Sequence, residues 1–406
     1  MATLSLLSRS VDRDAGLSYH RMVLTGCRSI PPSLSGANIS YHNRRMSFPI
    51  DRDIVRRLRS SVPDLHIDPR LGARLQKDEE AGSRLREISQ MDDCPGNPGL
   101  WPFQHVGSRW LQTIGRGILA DEQAMGKTVQ ALDASRGFLW EKGLVVCSDT
   151  KKLDWVDHIQ DWTSRQATRM DSSITDWKDF LICNYTQMLS DPHLLSQADL
   201  IILDECHKLR NRKTHMAKSA RQICGRDKPI FMLTATPMVN TYEDIWILLN
   251  LCDPNRFSSF WSFAYRFLSV NSNGFGMMIG DVRPEEKENL DDLLSDYILR
   301  RPRSLLSDPE IHRRLIPYEL LPQQRTLYHQ MSTEGECCLG GTRIRSEGPL
   351  SLITRLRQIA LHPMLLFPTY QGPSKLDELV KILRERDSKA VVFTMFEQMV
   401  EVALEY

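Results

Sequence analysis

The sequence lacks an excess of charge of either sign. Its 406 residues contain 52 Lys and Arg against 51 Asp and Glu, a formal net charge of +1. This balance excludes a protein that attracts polyanions over its whole surface, so any nucleic-acid contact must be a local patch. The sequence also lacks an apolar run of the about 18 residues that a membrane span requires, and it has no compact apolar signal segment. We therefore expect no membrane partner.

Cysteine is sparse as well. Nine cysteines are scattered along the chain, with no CxxC pair and no Cys/His spacing typical of zinc. This pattern excludes a disulfide scaffold, disfavours a structural zinc site and predicts a reducing, intracellular location, in the nucleus or in the cytoplasm or nucleoid.

The first 97 residues differ in composition from the rest. Residues 1–45 are rich in Ser and Arg, with Asp12 and Asp14 as the only acids. Such a composition is weakly typical of an organellar transit peptide, but a disordered leader, or a start codon assigned too early, is the favoured interpretation. Residues 46–97 predict a small accessory unit with helices around 51–59 and 71–88, followed by a Pro- and Gly-rich linker.

Short apolar runs recur from residue 98 onward and indicate the fold class. The runs are "GILAD", "GLVVCSD", "DFLICNY", "DLIILDE" and "PIFMLTAT", separated by helix-sized segments. Continuous apolar runs of this length predict strands buried on both faces of a parallel sheet, so the fold is α/β. We assign this lobe to residues 98–240 and a helical extension and bridge to 241–372. In residues 373–406, "KAVVFTMF" predicts the first strand of a second α/β domain.

The first run leads into "ADEQAMGKT", which has the features of a phosphate-binding loop. Such loops point backbone N–H groups and a helix N-terminus at phosphates, while a lysine adds charge and a hydroxyl holds magnesium. Lys127 and Thr128 suit these roles. Asp121 stands where the common pattern has its first glycine, so Gly-Lys-Thr alone hardly separates a nucleotide site from a plain strand-to-helix turn.

Two later strands also end in polar residues. "LIILDE" ends in Asp204 and Glu205, the residue types that hold magnesium and orient an attacking water in phosphate-loop enzymes. "FMLTATP" ends in Thr234 and Thr236, small residues that leave room for a ligand at the carboxyl edge of a sheet. Each pattern alone fits a helix cap or a turn, but together with the phosphate loop they favour a catalytic site.

The three motifs, in this order and spacing, resemble motifs I, II and III of superfamily-two helicase-like ATPases. The wider match, over about residues 98–406, resembles the SWI/SNF-type (Snf-like) branch, the DNA-dependent ATPases of chromatin remodelling and replication-fork repair. The resemblance implies a RecA-like sheet flanked by helices, use of ATP and Mg²⁺, and movement along double-stranded or branched DNA. An aspartate is usual at position 121 in this branch, whereas Ala124 replaces a glycine. If position 124 needs a positive φ, alanine is expected to weaken the nucleotide site.

The resemblance also implies roles for individual residues. The catalytic residues would be Lys127, Asp204 and Glu205, and the magnesium ligands would be Thr128 and Asp204. The nucleotide would be bound by Phe103, Gln104, Asp121, Met125, Gly126, Lys127 and Thr128, with Gln104 reading adenine. The DNA would be bound by Ser148, Thr150, Lys151, Asn184, Tyr185, Lys208 and Thr234.

The second motor lobe of this branch supplies arginines that stabilise charge on the transferred phosphoryl group. The sequence runs for ten residues beyond Phe396 and contains no counterpart of the motifs that carry these arginines. Three interpretations stay open: half of a split motor completed by a second polypeptide, a truncated product, or a non-catalytic ATP-dependent DNA-binding module. Because Lys127, Thr128, Asp204 and Glu205 are all present, an enzyme or enzyme half is preferred.

Overall fold

The computed structural model describes most of the chain. The described residues are 3–12, 17–25, 40–42, 45–49, 52–62, 64–170, 177–238, 241–272, 277–306, 313–370, 372, 375–385 and 389–405. They fall into two compact units, Met1–Asp308 and Pro309–Tyr406. The domain boundaries drawn from the sequence stay predictions.

The first unit begins with a five-stranded sheet in the order β3-β4-β2-β1-β5. Its strands are β1 (Thr3–Asp12), β2 (Leu17–Thr25), β3 (Ser40–His42), β4 (Arg45–Pro49) and β5 (His66–Ile67). Two helices pack against it, α1 (Arg52–Ser61) and α2 (Pro69–Ser89). The small core between them contains Leu4, Leu24, Leu58 and Leu71. The two helices coincide with those predicted from the sequence.

The strands β1 to β3 differ from the disordered leader predicted for residues 1–45. Residues 1–2, 13–16, 26–39 and 43–44 lie outside the described residues, but β1 and β2 form a long antiparallel pair. Leu4 and Leu24 are fully buried in that pair. The Ser- and Arg-rich composition concealed these apolar positions, which gain stability once α1 covers them.

The remaining strands of the first unit include the five apolar runs of the sequence. They are β6 (Arg116–Leu119), β7 (Gly143–Cys147), β8 (Ala167–Arg169), β9 (Phe180–Asn184), β10 (Leu200–Asp204), β11 (Ile230–Leu233), β12 (Leu268–Ser272), β13 (Met277–Val282) and β14 (Ile298–Leu299). Seven of them form a parallel sheet in the order β14-β6-β11-β10-β7-β9-β8. The predicted α/β class is confirmed, and all five apolar runs form strands.

Helices cover both faces of this sheet. They are α3 (Pro102–Ile114), α4 (Lys127–Ser135), α5 (Lys152–Trp162), α6 (Pro192–Leu195), α7 (His215–Cys224), α8 (Trp246–Cys252), α9 (Phe260–Phe267) and α10 (Lys287–Ser295). Successive strand residues enter opposite cores: Leu119 packs with Trp110 and Trp155, whereas Ile118 packs with Leu248. This alternation explains why the strands are apolar throughout. Among the described residues, none of the helices combines the length and apolar character that crossing a bilayer demands.

The second unit is smaller. Its elements are α11 (Pro322–Glu334), β15 (Glu336–Leu339), β16 (Thr342–Arg345), α12 (Pro349–Leu361), α13 (Lys375–Arg384) and α14 (Gln398–Glu405). The strand predicted within residues 389–396 is absent from the described part of this unit, where Val391 is 78% and Phe393 is 91% exposed. An apolar run becomes a strand only when neighbouring strands pair with it, and no described strand lies beside this one.

Candidate functional site

The phosphate loop joins β6 to α4 at the carboxyl edge of the parallel sheet. Gly126, the residue before α4, has a left-handed backbone with φ of 70°. A left-handed backbone favours glycine, and a Cβ here would also displace Nε2 of the Gln104 side chain, which lies 2.3 Å from that position. The loop therefore directs the N-terminus of α4 outward, the arrangement that binds anions.

Ala124 also has a positive φ, of 62°. Position 124 therefore does adopt a positive φ, the condition under which a glycine would be favoured there. A left-handed backbone costs an L-residue about 1–2 kcal/mol. That alanine weakens nucleotide binding stays a prediction.

Lys127 places its ammonium group inside the loop. Nζ donates hydrogen bonds to the carbonyl oxygens of Asp121, at 2.8 Å, and Glu122, at 3.0 Å. Burial lowers the pKa of Lys127, and the nearby carboxylates of Asp121, Glu205 and Asp204 oppose that shift. Because both partners are main-chain carbonyls, phosphate oxygens can replace them without breaking an ion pair.

Asp121 has internal partners for both of its carboxylate oxygens, and its assignment as a nucleotide-binding residue stays a prediction. Its side chain is fully buried, and Oδ1 accepts a hydrogen bond of 2.9 Å from Nε of Arg301. Oδ2 accepts from Nη2 of Arg301 at 2.5 Å and from Nε2 of Gln130 at 3.2 Å. A buried carboxylate needs a cation, so the group faces Arg301 and only the Asp121 carbonyl faces Lys127. No motif in the sequence pointed to Arg301 as the partner of Asp121, 180 residues away.

Gln104, Met125 and Phe103 lie at the phosphate loop, as predicted. Oε1 of Gln104 accepts from the Trp101 backbone N–H at 3.0 Å, and its Nε2 donates to the Met125 carbonyl at 3.2 Å. Met125 is buried. The half-buried Phe103 ring lies 5.4 Å from the guanidinium carbon of Arg301. These contacts show Gln104 fastening α3 to the loop; its reading of adenine stays a prediction.

Asp204 ends β10 and Glu205 follows it, at the same edge of the sheet. Oδ2 of Asp204 accepts a hydrogen bond of 2.9 Å from the indole N–H of Trp155. Glu205 has a left-handed backbone with φ of 51°, and its side chain is 44% exposed. Non-glycine residues hold this conformation at a cost and are frequent at functional sites. The turn leaves Asp204 fixed at the strand end and Glu205 open to solvent.

His207 is a residue that the sequence interpretation missed. Its Nδ1 lies 3.2 Å from Oε2 of Glu205 and 3.0 Å from Oγ1 of Thr234. The Thr234 hydroxyl also accepts from the Thr236 backbone N–H at 3.1 Å. The histidine two residues after Glu205 was the available signal. It connects the second motif to the third through side chains.

The residues predicted to bind DNA lie at or after the ends of strands at this edge, but they differ in accessibility. Thr150, Lys151 and Lys208 are exposed, and Ser148 and Asn184 are half-buried. Tyr185 is 4% exposed and donates to the Asp204 carbonyl at 2.7 Å. Thr234 is fully buried. The side chains of Tyr185 and Thr234 thus have partners inside the protein, and their assignments as DNA contacts stay predictions.

The donor set for a metal is small. No group of three or more His, Cys, Asp or Glu that could hold a metal occurs within the described ranges. This is compatible with Mg²⁺, which keeps several waters and is bound by one or two protein ligands together with substrate phosphates. That Thr128 and Asp204 hold the ion stays a prediction.

Comparison with known proteins identifies the family. A family model described as the SNF2-related domain matches residues 103–365. The chain belongs to the SNF2-related family. This membership agrees with the resemblance in the three motifs.

Individual relatives are distant in sequence. The SNF2-related chain is 23% identical over 360 residues to the ISWI chromatin-remodeling complex ATPase ISW1 of Saccharomyces cerevisiae, covering 76% of this chain and 31% of that protein. It is 24% identical over 347 residues to the probable ATP-dependent DNA helicase CHR12 of Arabidopsis thaliana, covering 75% of this chain and 31% of the relative. The chain thus spans about a third of the length of these relatives.

A solved structure also matches the SNF2-related chain. It is the Sulfolobus solfataricus SWI2/SNF2 ATPase core in complex with dsDNA, with 21% identity and a TM-score of 0.47. The match covers 73% of this chain and 66% of that chain.

Proposed function

We propose that this SNF2-related chain carries the ATP-binding lobe of a motor that hydrolyses ATP to move along double-stranded DNA. The observation that carries the proposal is the convergence of the phosphate loop with the Asp204–Glu205 turn. Both lie at the carboxyl edge of the sheet. Burial lowers the pKa of Lys127, and the negative charges of Asp204 and Glu205 oppose that shift because they favour its protonated form.

Each residue of the site has a distinct task in ATP hydrolysis. The N-terminus of α4 and the ammonium group of Lys127 bind the terminal phosphates and hold them in place. Thr128 and Asp204 would hold Mg²⁺, which neutralises charge on the phosphate oxygens. Glu205 orients the attacking water, because its partly exposed carboxylate lies at the sheet edge that carries the phosphate loop.

The contact of Glu205 with His207, and that of His207 with Thr234, supply a route for coupling. The Thr234 hydroxyl is shared between His207 and the backbone of the following turn. A change in the position of Glu205 would therefore disturb the turn at Thr236. We propose that this series of side-chain contacts couples ATP binding and hydrolysis to the neighbouring DNA-binding loops.

The DNA-binding part of the proposal rests on the exposed residues after β7 and β10. Thr150, Lys151 and Lys208 present a hydroxyl and two cations to solvent. Such groups contact phosphates without reading bases, which suits a motor that moves along duplex DNA of any sequence. The names of the relatives, a chromatin-remodeling ATPase and a probable DNA helicase, support this choice.

The test is DNA-stimulated ATP hydrolysis by residues 1–406, with Lys127→Ala as the blank and ATP binding measured separately. We expect residues 1–406 alone to bind ATP with poor turnover, and we expect Glu205→Gln to preserve ATP binding and abolish hydrolysis in the complete motor. Absence of ATP binding would overturn the proposal. ATP binding without hydrolysis, even after addition of a second polypeptide that carries phosphate-stabilising arginines, would favour the alternative of an ATP-dependent DNA-binding module.

A further inference from the structure

A buried ion pair lies directly beneath the phosphate loop. Arg301 is 8% exposed and Asp121 is fully buried, and the two side chains share two hydrogen bonds. We infer that Arg301 is a positioning residue for ATP binding: it holds the phosphate loop, through Asp121, in the shape that receives the terminal phosphates. The inference rests on the proposed function.

The backbone around Arg301 runs along the phosphate loop. The N–H of Ala120 donates to the Leu299 carbonyl at 2.7 Å, and the N–H of Glu122 donates to the Arg301 carbonyl at 3.2 Å. The N–H of Arg303 in turn donates to Oε2 of Glu122 at 2.7 Å. The hydrogen-bond ladder between β14 and β6 thus continues past both strands and into the loop.

The guanidinium group also reaches the helices on either side. Nη2 donates to Oε1 of Gln130 in α4 at 2.7 Å, and Nη1 donates to the Phe103 carbonyl in α3. Nε2 of Gln130 donates to the Met125 carbonyl at 3.1 Å. A Cβ at Gly107 in α3 would lie 1.8 Å from Oε1 of Gln130 and 2.6 Å from Nη2 of Arg301. Arg301 therefore connects α3, α4 and both ends of the phosphate loop.

The link to phosphate binding passes through one peptide group. The Asp121 carboxylate binds Arg301, while the carbonyl of the same residue accepts from Nζ of Lys127 at 2.8 Å. Rotation of Asp121 would move that carbonyl and hence the ammonium group. The planar fork of arginine fixes both carboxylate oxygens, which a lysine cannot do. This explains why an acid is useful at a loop position where many phosphate loops have glycine.

The main test compares Arg301→Lys with the exposed neighbour Arg300→Lys as a matched control. A displacement of about 1 Å in a binding site can change rates or affinities by about 100-fold, so we expect Arg301→Lys to weaken ATP binding by about 10- to 100-fold. Binding of AMP, which lacks the terminal phosphates, should change by less than about threefold, and Arg300→Lys should leave both affinities unchanged. A purely structural role would weaken ATP and AMP binding together.

A second variant protects the test against failure to fold. Asp121→Asn combined with Arg301→Met removes both charges, a change that buried ion pairs often tolerate. We expect this variant to fold and to lose ATP affinity without losing AMP affinity. Wild-type ATP affinity in either folded variant would overturn the role of Arg301 while leaving the proposed function intact. Failure of the wild-type protein to bind ATP would instead overturn the proposed function, and this inference with it.

Discussion

The two halves of the sheet edge are built differently. The phosphate loop is fastened from α3 by Gln104, from α4 by Gln130 and from the segment after β14 by Arg301. On the proposed DNA side, Thr150, Lys151 and Lys208 stand exposed on short turns. Phosphoryl transfer needs groups held in fixed positions, whereas contacts to a DNA backbone tolerate adaptable side chains. The difference in support thus matches the two tasks proposed for the edge.

The strongest test of this comparison uses two lysines at the same edge, Lys127 and Lys208. We expect Lys127→Ala to reduce ATP affinity by about 100-fold or more, because a preorganised charge-assisted contact to phosphate is lost. Lys208→Ala should leave ATP binding unchanged, weaken DNA binding and reduce the slope of log affinity against log salt by about 1. Equilibrium titrations with ATP and duplex DNA measure both effects. Equal losses of ATP affinity in the two variants would contradict the division into halves.

A second test concerns the threonines of the predicted DNA surface. Thr234→Val should lower the free energy of unfolding by about 1–3 kcal/mol, since His207 and the Thr236 N–H lose a buried partner. The exposed control, Thr150→Val, should change it by less than about 0.5 kcal/mol and should weaken DNA binding instead. Denaturant unfolding and DNA titration separate these outcomes. Weaker DNA binding by Thr234→Val at unchanged stability would instead support the prediction that Thr234 contacts DNA.

Ala124 allows a finer test of how far the phosphate loop is optimised. Ala124→Gly should raise the free energy of unfolding by about 0.5–1 kcal/mol, because glycine relieves the left-handed strain. ATP affinity should rise slightly. The same substitution at the exposed helical position 81, Ala81→Gly, should lower stability by about 1 kcal/mol. Thermal unfolding of both variants measures the contrast, and destabilisation by Ala124→Gly would show that the loop is unstrained.

The smallest expected effect concerns the hydrogen bonds that hold the Pro- and Gly-rich linker against α3. His105 lies 2.9 Å from Oδ1 of Asp93 and 2.7 Å from the Asn97 carbonyl. Burial lowers the pKa of His105, but these hydrogen bonds outweigh it, so the pKa is raised above 6.5. Hydrogen bonding to His105 is also the main reason that the pKa of Asp93 is lowered below 3.8.

The sign of the pH effect follows from these shifts. The contribution of His105 is fully present below its unfolded pKa and is lost as the pH rises through its folded pKa, whereas that of Asp93 is lost in acid. The stability advantage of the wild type over His105→Asn should therefore be largest near about pH 5.5 and should shrink by about pH 8. Unfolding at the two pH values measures it. An advantage that grows toward alkaline pH would contradict the assignment.

Two short apolar runs that share a Val-Val pair show the limit of local patterns. "GLVVC" forms the central strand β7, while "KAVVF", residues 389–393, is exposed and belongs to none of the described strands. Strand β7 has β10 on one side and β9 on the other. The same contrast, reversed, applies to the N-terminus, where a polar composition concealed β1 and β2. Apolar content indicates where a strand can form, but pairing partners decide whether it does.

By itself, the sequence determined the local features of this protein. Buried apolar runs fixed the strands of the parallel sheet, and the order of the three motifs placed Lys127, Asp204 and Glu205 at its carboxyl edge, because parallel strands end on the same side. Only the tertiary structure decided the partners of those residues. It turned Tyr185 and Thr234 inward, brought His207 to Glu205 and paired Asp121 with Arg301 across 180 residues. The physical reason is that a buried polar side chain must find a partner, and that partner is set by which distant strands and helices become neighbours.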